Sequence, residues 1–378
     1  MNNAAYIIGA LRTPVAPARG DYAALNATTL GQLTIEGLLK KLDLPAEFVE
    51  HCVFSNALYA GGNPTRLSAL AAQIPEVVPS MTIDTQCCGG LDSLIVASSL
   101  IRSGDHDFIL AGGMESFSTA PRRLSKSADG KPDVEYKRPP FSPWPDKDPD
   151  MLDAAAELAK ELSITRIDQE LYARKSHAKA LAASNILAEE CLEISSLKRD
   201  SFTRNLNRRV QAKLPVLAGD EKFGITASTT AVEADAAAAC AIVSDKFLAA
   251  HPNFRSTAIQ ILGGFSVGSD PAMPGLAPVS AVKKALNELS LNIVQIDVVE
   301  VMEAFASQAF ACMKLCDMDA SKTNLSGGAL ARGHPIGASG TINAVRLYHE
   351  LIARSEFKLG LATIAGAGGL GSALVLAK

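Results

Sequence analysis

Residues 81–113 read MTIDTQCCGGLDSLIVASSLIRSGDHDFILAGG, and three elements follow one another within them. Met81 to Ile83 is a short strand that runs into Cys87, Cys88, Gly89 and Gly90. The stretch 91–104 has the Ala/Leu/Ser make-up of a helix and closes at Gly104, a residue suited to the left-handed turn after a helix. DFILAGG (107–113) is an apolar run ending in glycines, which predicts a buried strand. The C-terminal end echoes this order. Gly337 opens ASGTINAVRLYHELIARS as a helix, LGLATIA follows as a strand, and GAGGLG supplies the glycines. Two such units at opposite ends of the chain predict an α/β fold of two similar halves. Their packing would bring strand ends together, where α/β ligands bind.

Outward from these units, residues 4–10 and 52–55 read as short strands, and 28–42 (TTLGQLTIEGLLKKL) has apolar residues at helical spacing. Residues 120–150 are rich in Pro, Ser and charge, hold the only Trp (Trp144), and suit neither core strand nor core helix. Helical periodicity returns in MLDAAAELAKELSI and ITRIDQELYARKSHAKALAAS. The expected division is therefore an N-terminal half (1–120 plus about 235–255), a loop-plus-helix domain inserted at 121–234, and a C-terminal half (256–378). The polar 121–150 stretch does not suggest a long apolar tunnel.

The chain has 378 residues, 48% hydrophobic and 20% charged, so a large core is possible and about 150 residues per domain predicts two or three domain-sized units. The formal charge of −4 leaves no basic footprint, which argues against nucleic acid and anionic membranes as partners. No apolar run reaches the ~20 residues of a membrane span. MNNAAYIIGALRTP lacks the basic and apolar regions of an export signal and reads as a first strand. Seven cysteines form an odd set without a framework spacing, which points to reduced thiols and a cytoplasmic location.

Cys87 lies where a strand ends and a Gly-Gly turn opens a helix. Free backbone N–H groups there favour a thiolate and can hold an oxyanion. The plainer reading makes Cys87 and Cys88 small buried hydrophobes at a tight turn. In GGALARGHPIGASG (327–340), His334 stands in a Gly-rich loop suited to presenting an imidazole. His51, His106, His177, His251 and His349 sit in polar or helical contexts and read as surface or helix residues. A Cys and a His together suit acyl transfer, the imidazole taking the thiol proton. Cys312 and Cys316 lie on an apolar helical stretch without further ligands, so core packing is favoured over metal binding.

These segments resemble the thiolase family from end to end. IIGALRTP is similar to its first strand and Arg-Thr-Pro turn, QCCGGLDS to its nucleophile segment, and AGGMESFS (111–118) matches almost letter for letter. ITRIDQELYARKSHAKA resembles its loop-domain helix, and EAFA (303–306) and GGALARGHPIGASG match two active-site segments. The resemblance implies two similar α/β halves in five αβαβα layers with an inserted loop domain, assembled as a homodimer or homotetramer. It implies an acyl-CoA substrate and no metal or redox cofactor, the CoA thioester being substrate. It puts Cys87 at the acyl-accepting position and His334 at its activator, with the backbone N–H groups of Cys87 and Ala367 as the oxyanion hole. It also implies substrate contacts at Met151, Ser228, Ala231 and Phe305.

Two departures fall on groups the family uses for carbon–carbon chemistry. Ala365 stands where the family has a second cysteine, the acid/base for the α-carbon, and a methyl holds no proton to exchange. Met302 replaces the usual Asn that orients a water, and a thioether is only a weak acceptor. Ser228-Thr229 replaces Gly-Asn, and Ala231 replaces a CoA-contacting Ser, altering the pantetheine channel.

The pattern implies an acyltransferase that forms an acyl-Cys87 thioester and passes the acyl group to an acceptor not needing the missing cysteine. A malonyl-type thioester that loses CO₂, an already acidic carbon, an amine, a hydroxyl or a thiol would each serve. A second reading keeps conventional β-ketothiolase activity, with Cys88, His334 or a water as substitute base. It includes Ala365 as a substitution that traps an intermediate, which leaves Met302 unexplained. A third is an inactive scaffold subunit beside an active partner protein. Arg122, Arg123, Lys126 and Lys131 are candidates to meet the CoA phosphates, with solvated surface charge as the alternative.

Overall fold

The computed structural model describes residues 3–59, 61–127 and 130–378. Five strands form a first half-sheet: β1 (Ala5–Arg12), β2 (His51–Ser55), β3 (Ser80–Ile83), β4 (Phe108–Glu115) and β5 (Ala234–Ser244), in the order β3-β2-β4-β5-β1. β2 is parallel to β3 and β4, whereas β5 is antiparallel to β4 and β1. Four strands form the second: β6 (Ile259–Gly268), β7 (Val298–Val301), β8 (Leu359–Gly366) and β9 (Leu370–Ala377), in the order β7-β8-β9-β6. β7 is parallel to β8, and β9 is antiparallel to β8 and β6. Order and polarity therefore repeat, the second half lacking only a full edge strand. A single parallel bridge from Val299 to Thr323 occupies the place of β3. The half-sheets join edge to edge where β1 pairs with β6, Tyr6 opposite Gln260 and Ile7 opposite Ile259.

Helices α1 (Ala27–Leu42), α2 (Gly89–Ser103), α3 (Met151–Glu161), α4 (Arg166–Ala182), α5 (Ala277–Glu288), α6 (Ala306–Leu315) and α7 (Ile336–Ala353) fill the other layers. α2 and α7 share one apolar core with both half-sheets: Leu91, Leu94, Ile342 and Val345 meet Ile7, Val53 and Ile109 of the first and Ile261, Ile364 and Leu374 of the second. Each such side chain, fully buried, contributes about 1.5–3 kcal/mol. α7 is buried nearly all round, as a helix between two sheets must be, and its sequence is mostly apolar or small, its buried Arg346 and Glu350 being paired in salt bridges. α1 covers the outer face of the first half-sheet through Ile35 and Leu38, which pack with Phe54 and Leu110. α5 covers the outer face of the second through Val282 and Ala285, which pack with Leu361 and Val375. The layers run helix, sheet, helix, sheet, helix.

A glycine contact sets how closely these layers approach. A Cβ on Gly113 would lie 2.0 Å from the Gly337 carbonyl oxygen, and one on Gly90 would lie 2.7 Å from the same oxygen. The end of β4, the start of α2 and the start of α7 can thus touch through backbone alone, which draws the segments bearing Cys87 and His334 together. Among the described residues of 120–150 the elements are a hairpin of Arg123–Ser125 and Val134–Tyr136 and a short helical turn at Pro145–Lys147, none of them in the core. The inserted region is pinned to the body by buried charge. Arg12 at the end of β1 bonds Glu190 at 2.6 Å and Asp200 at 2.6 and 3.0 Å, and Arg346 of α7 bonds Glu190 as well. His51 is buried within β2, which corrects its reading as a surface or helix residue, whereas His177 lies on helix α4 as read, buried there, with its Nδ1 accepting the Arg204 N–H at 3.2 Å.

Candidate active site

Cys87 follows Gln86, whose φ of 55° is a left-handed conformation unusual for a side chain of that size, so the turn carrying the thiol is strained. Cys88 is the N-cap of α2, placing Cys87 just ahead of the helix. His334 leaves the short helix Ala329–Arg332 through Gly333 (φ 119°), and its own N–H is fixed to the Val232 carbonyl at 2.7 Å. The two side chains meet: His334 Nε2 lies 3.2 Å from Cys87 Sγ.

The tautomer follows from the next bond along. Ser339 Oγ lies 2.9 Å from the Pro335 carbonyl oxygen, to which it donates its proton, and 2.7 Å from His334 Nδ1. With that proton engaged, the hydroxyl accepts from Nδ1–H, which leaves the Nε2 lone pair facing the thiol. Burial pushes the Cys87 thiol up to about 12, against the pull of backbone N–H bonds from Ala367 and Cys87 itself, with the charges of Glu115 and Asp84 adding to the rise. Burial lowers His334 to about 4. The resting pair is therefore neutral thiol and neutral imidazole. The thiol proton moves only when attack on a carbonyl drives it, and two N–H groups already converge on the sulfur where an oxyanion would form.

Glu115, at the end of β4, is the residue that the reading of the sequence missed. Its buried carboxylate accepts from Asn56 Nδ2 at 2.6 Å and from the backbone N–H groups of Ala57, Leu58 and Gly337 at 3.1, 3.2 and 2.9 Å. Burial pushes its pKa up to about 7 against those bonds. It ties the β2 exit to the first turn of α7, three residues after His334. Its sequence signal was an acid following the glycines of AGGMESFS, a segment read for its family match and not for this residue. Glu115→Gln turns an acceptor into a donor facing backbone donors, and is expected to lower unfolding free energy by about 1–3 kcal/mol, measurable by urea denaturation.

A cavity of about 240 Å³ opens onto this pair. Phe117, Phe141, Met151, Leu158, Phe305 and Ile336 make much of its wall, and Ala231, Ala365 and Ala367 also line it. The wall is more apolar than the composition of 121–150 suggested, because Phe141 lines it and α3 adds Met151, Ala154, Ala155 and Leu158. Met151, Ala231 and Phe305, the expected substrate contacts, all line this cavity.

Two other expectations are corrected, for Ser228 and Cys88, and the altered position 302 is located. Ser228 is buried behind the cavity, bonded to Gln211 Nε2 at 3.2 Å and Thr226 Oγ1 at 3.0 Å, and does not line it. Met302 is buried in the apolar core that contains Cys88, Ala338 and Ile342, so its side chain is not a cavity wall. Cys88 is fully buried, its sulfur 3.7 Å from the Ile364 carbonyl, and burial raises its thiol well above the usual range. A closed, protonated thiol outside the cavity cannot serve as a substitute base. Of the proposed phosphate contacts, Arg122 pairs with Glu135 and Arg123 donates to the Ala57 carbonyl at 3.0 Å, while Lys126 and Lys131 are exposed. Cys312 and Cys316 are buried at the end of α6.

The family model described as the thiolase N-terminal domain matches residues 5–246, and that described as the thiolase C-terminal domain matches 256–378. A probable acetyl-CoA acetyltransferase of Mycolicibacterium smegmatis is 34% identical, covering 98% of this chain and 99% of that protein. One from Escherichia coli is 33% identical, covering 98% of each. Among solved structures, human mitochondrial 3-ketoacyl-CoA thiolase in complex with CoA superposes with a TM-score of 0.91 at 28% identity, covering 100% of this chain and 98% of that one.

Proposed function

This chain belongs to the thiolase family of CoA-dependent acyltransferases, and from that premise we propose that it is a non-standard member that carries an acyl group on Cys87. The observation behind this is the Cys87 Sγ to His334 Nε2 contact of 3.2 Å in a cavity where position 365 offers only a methyl. In the first half-reaction Cys87 Sγ attacks the thioester carbonyl as its proton passes to His334 Nε2. The N–H groups of Cys87 and Ala367 hold the oxyanion. The C–S bond to CoA then breaks, and His334 returns the proton to the departing CoA sulfur. In the second, a carbon or heteroatom acceptor takes the acyl group and Cys87 is restored. Met151, Ala231 and Phe305 contact the acyl-CoA, and Lys126 and Lys131, without a partner among the described residues, are the phosphate contacts.

The working division is two halves, 1–120 plus about 235–255 and 256–378, with a loop domain at 121–234. Homodimerisation is supported by β3, which pairs on one side only and exposes Met81, with Val77 and Leu67 exposed nearby. Met81→Asp is expected to shift the enzyme toward monomer in sedimentation velocity; an unchanged mass would place the contact elsewhere. Seven free cysteines support a reducing, cytoplasmic setting.

The function is tested by intact-protein mass spectrometry after mixing with acetyl-CoA, malonyl-CoA and a longer acyl-CoA separately. An acyl adduct that disappears in Cys87→Ala supports the reading. No adduct from any donor, in folded protein, overturns it in favour of a scaffold or partner-dependent subunit.

A further inference from the structure

The cavity holds one titratable group beyond the Cys87–His334 pair: among the residues that line it, only Cys87, His334 and Glu233 titrate, and none is Lys or Arg. Glu233 is exposed, and its carboxylate has no hydrogen-bond or ion-pair partner among the described residues. Its backbone is held on both sides. Ala18 N donates to its carbonyl at 2.8 Å, and it forms a parallel bridge with His334, whose N–H bonds the neighbouring Val232 carbonyl. An acidic residue whose carboxylate has no partner among the described residues thus lines the cavity on backbone that is bridged to that of His334. The field at the nucleophile has the same sign, since Glu115 and Asp84 both oppose ionisation of Cys87.

We propose that Glu233 selects the acceptor of the second half-reaction, and that this acceptor is a primary amine in its ammonium form; the inference rests on the acyl-Cys87 reading. A negative site without a cation attracts an ammonium and repels the carboxylate of a malonyl-type thioester. An amine also needs neither of the carbanion aids absent at positions 302 and 365. Glu233 accepts a hydrogen bond from R–NH₃⁺ and takes one proton, freeing the nitrogen lone pair. The nitrogen attacks the acyl-Cys87 carbonyl carbon, forming the C–N bond, with the oxyanion on the Cys87 and Ala367 N–H groups. The C–S bond breaks, the surplus proton on nitrogen passes through His334 Nε2 to the sulfur, and Glu233 releases its proton to solvent. Amide and free thiol result.

The test prepares acyl-enzyme with acetyl-CoA and quantifies it by intact mass. It is then mixed at pH 7 with n-butylamine, n-butanol or malonyl-CoA, and rates are expressed per acylated Cys87. The wild type is expected to discharge fastest with n-butylamine, and Glu233→Gln to slow that reaction about ten- to a hundredfold while changing the n-butanol rate little. Faster discharge of the wild type by malonyl-CoA, or an unslowed Gln variant with n-butylamine, overturns this inference alone. Absence of acyl-Cys87 at the first stage overturns the acyl-transfer reading and this inference with it.

Discussion

His334→Ala is expected to slow acylation of Cys87 by about 10²–10⁴-fold, the usual contribution of a positioned general base. The geometry explains why the effect should lie toward the upper end. Burial holds the thiol at about 12, so almost none is ionised at neutral pH, and attack needs a base already in contact. The imidazole at 3.2 Å is that base, and no other cavity-lining residue lies within hydrogen-bond reach of the sulfur by side chain. The pH profile should carry the same signature. With the imidazole lowered to about 4 and the thiol raised to about 12, both stay neutral across the middle range, and acylation should be flat from about pH 6 to 9. It should fall as pH drops toward 4, where His334 takes a proton and loses its lone pair. Quenched-flow mass analysis of the adduct reads both effects. A His334→Ala enzyme whose acylation rises tenfold per pH unit would show the thiolate replacing the base; one as fast as wild type would remove His334 from the mechanism.

Ala365→Cys is expected to raise CoA-dependent cleavage of acetoacetyl-CoA by about 10²-fold or more. Position 365 lines the cavity at the end of β8, opposite Gly371 in the β8–β9 ladder, so a thiol there faces the same space as Cys87 and His334. The substitution adds one sulfur and the exchangeable proton that a methyl lacks. Full activity is not expected, because Met302 offers no polar group and its side chain lies in the apolar core. Met302→Asn would bury an amide there at a cost of about 1–3 kcal/mol, and is expected to lower stability rather than complete the rescue. The measurement is the loss of acetoacetyl-CoA absorbance with CoA present. An unchanged rate in folded, acylation-competent Ala365→Cys would place the block elsewhere than at 365.

The two similar α/β halves were legible because their signals are local, whereas the five layers were implied by the family resemblance. The glycine-punctuated units at 81–113 and 337–371 sit in α2–β4 and α7–β8 much as periodicity predicts, helix ends shifting by a residue or two. Cys87 and His334 were legible for a similar reason, each standing in a glycine-rich turn whose backbone demands are written in consecutive letters. Ser339 and Glu115 were not. A serine in the first turn of a helix and an acid at the end of a strand look ordinary until α7 and β4 meet.

Linear order, turn chemistry and apolar period thus determine the two-half α/β architecture, the candidate nucleophile and base, and the absence of a thiol at 365. Tertiary structure alone decided which residues share the cavity: it withdrew Ser228 and Cys88 from it, put Met302 in the apolar core and bridged the backbone of Glu233 to that of His334. The physical reason is that backbone preferences act over a few neighbouring residues. Facing across a cavity instead depends on how whole layers pack, and here the layers close on bare backbone at Gly90, Gly113 and Gly337, residues far apart in the chain.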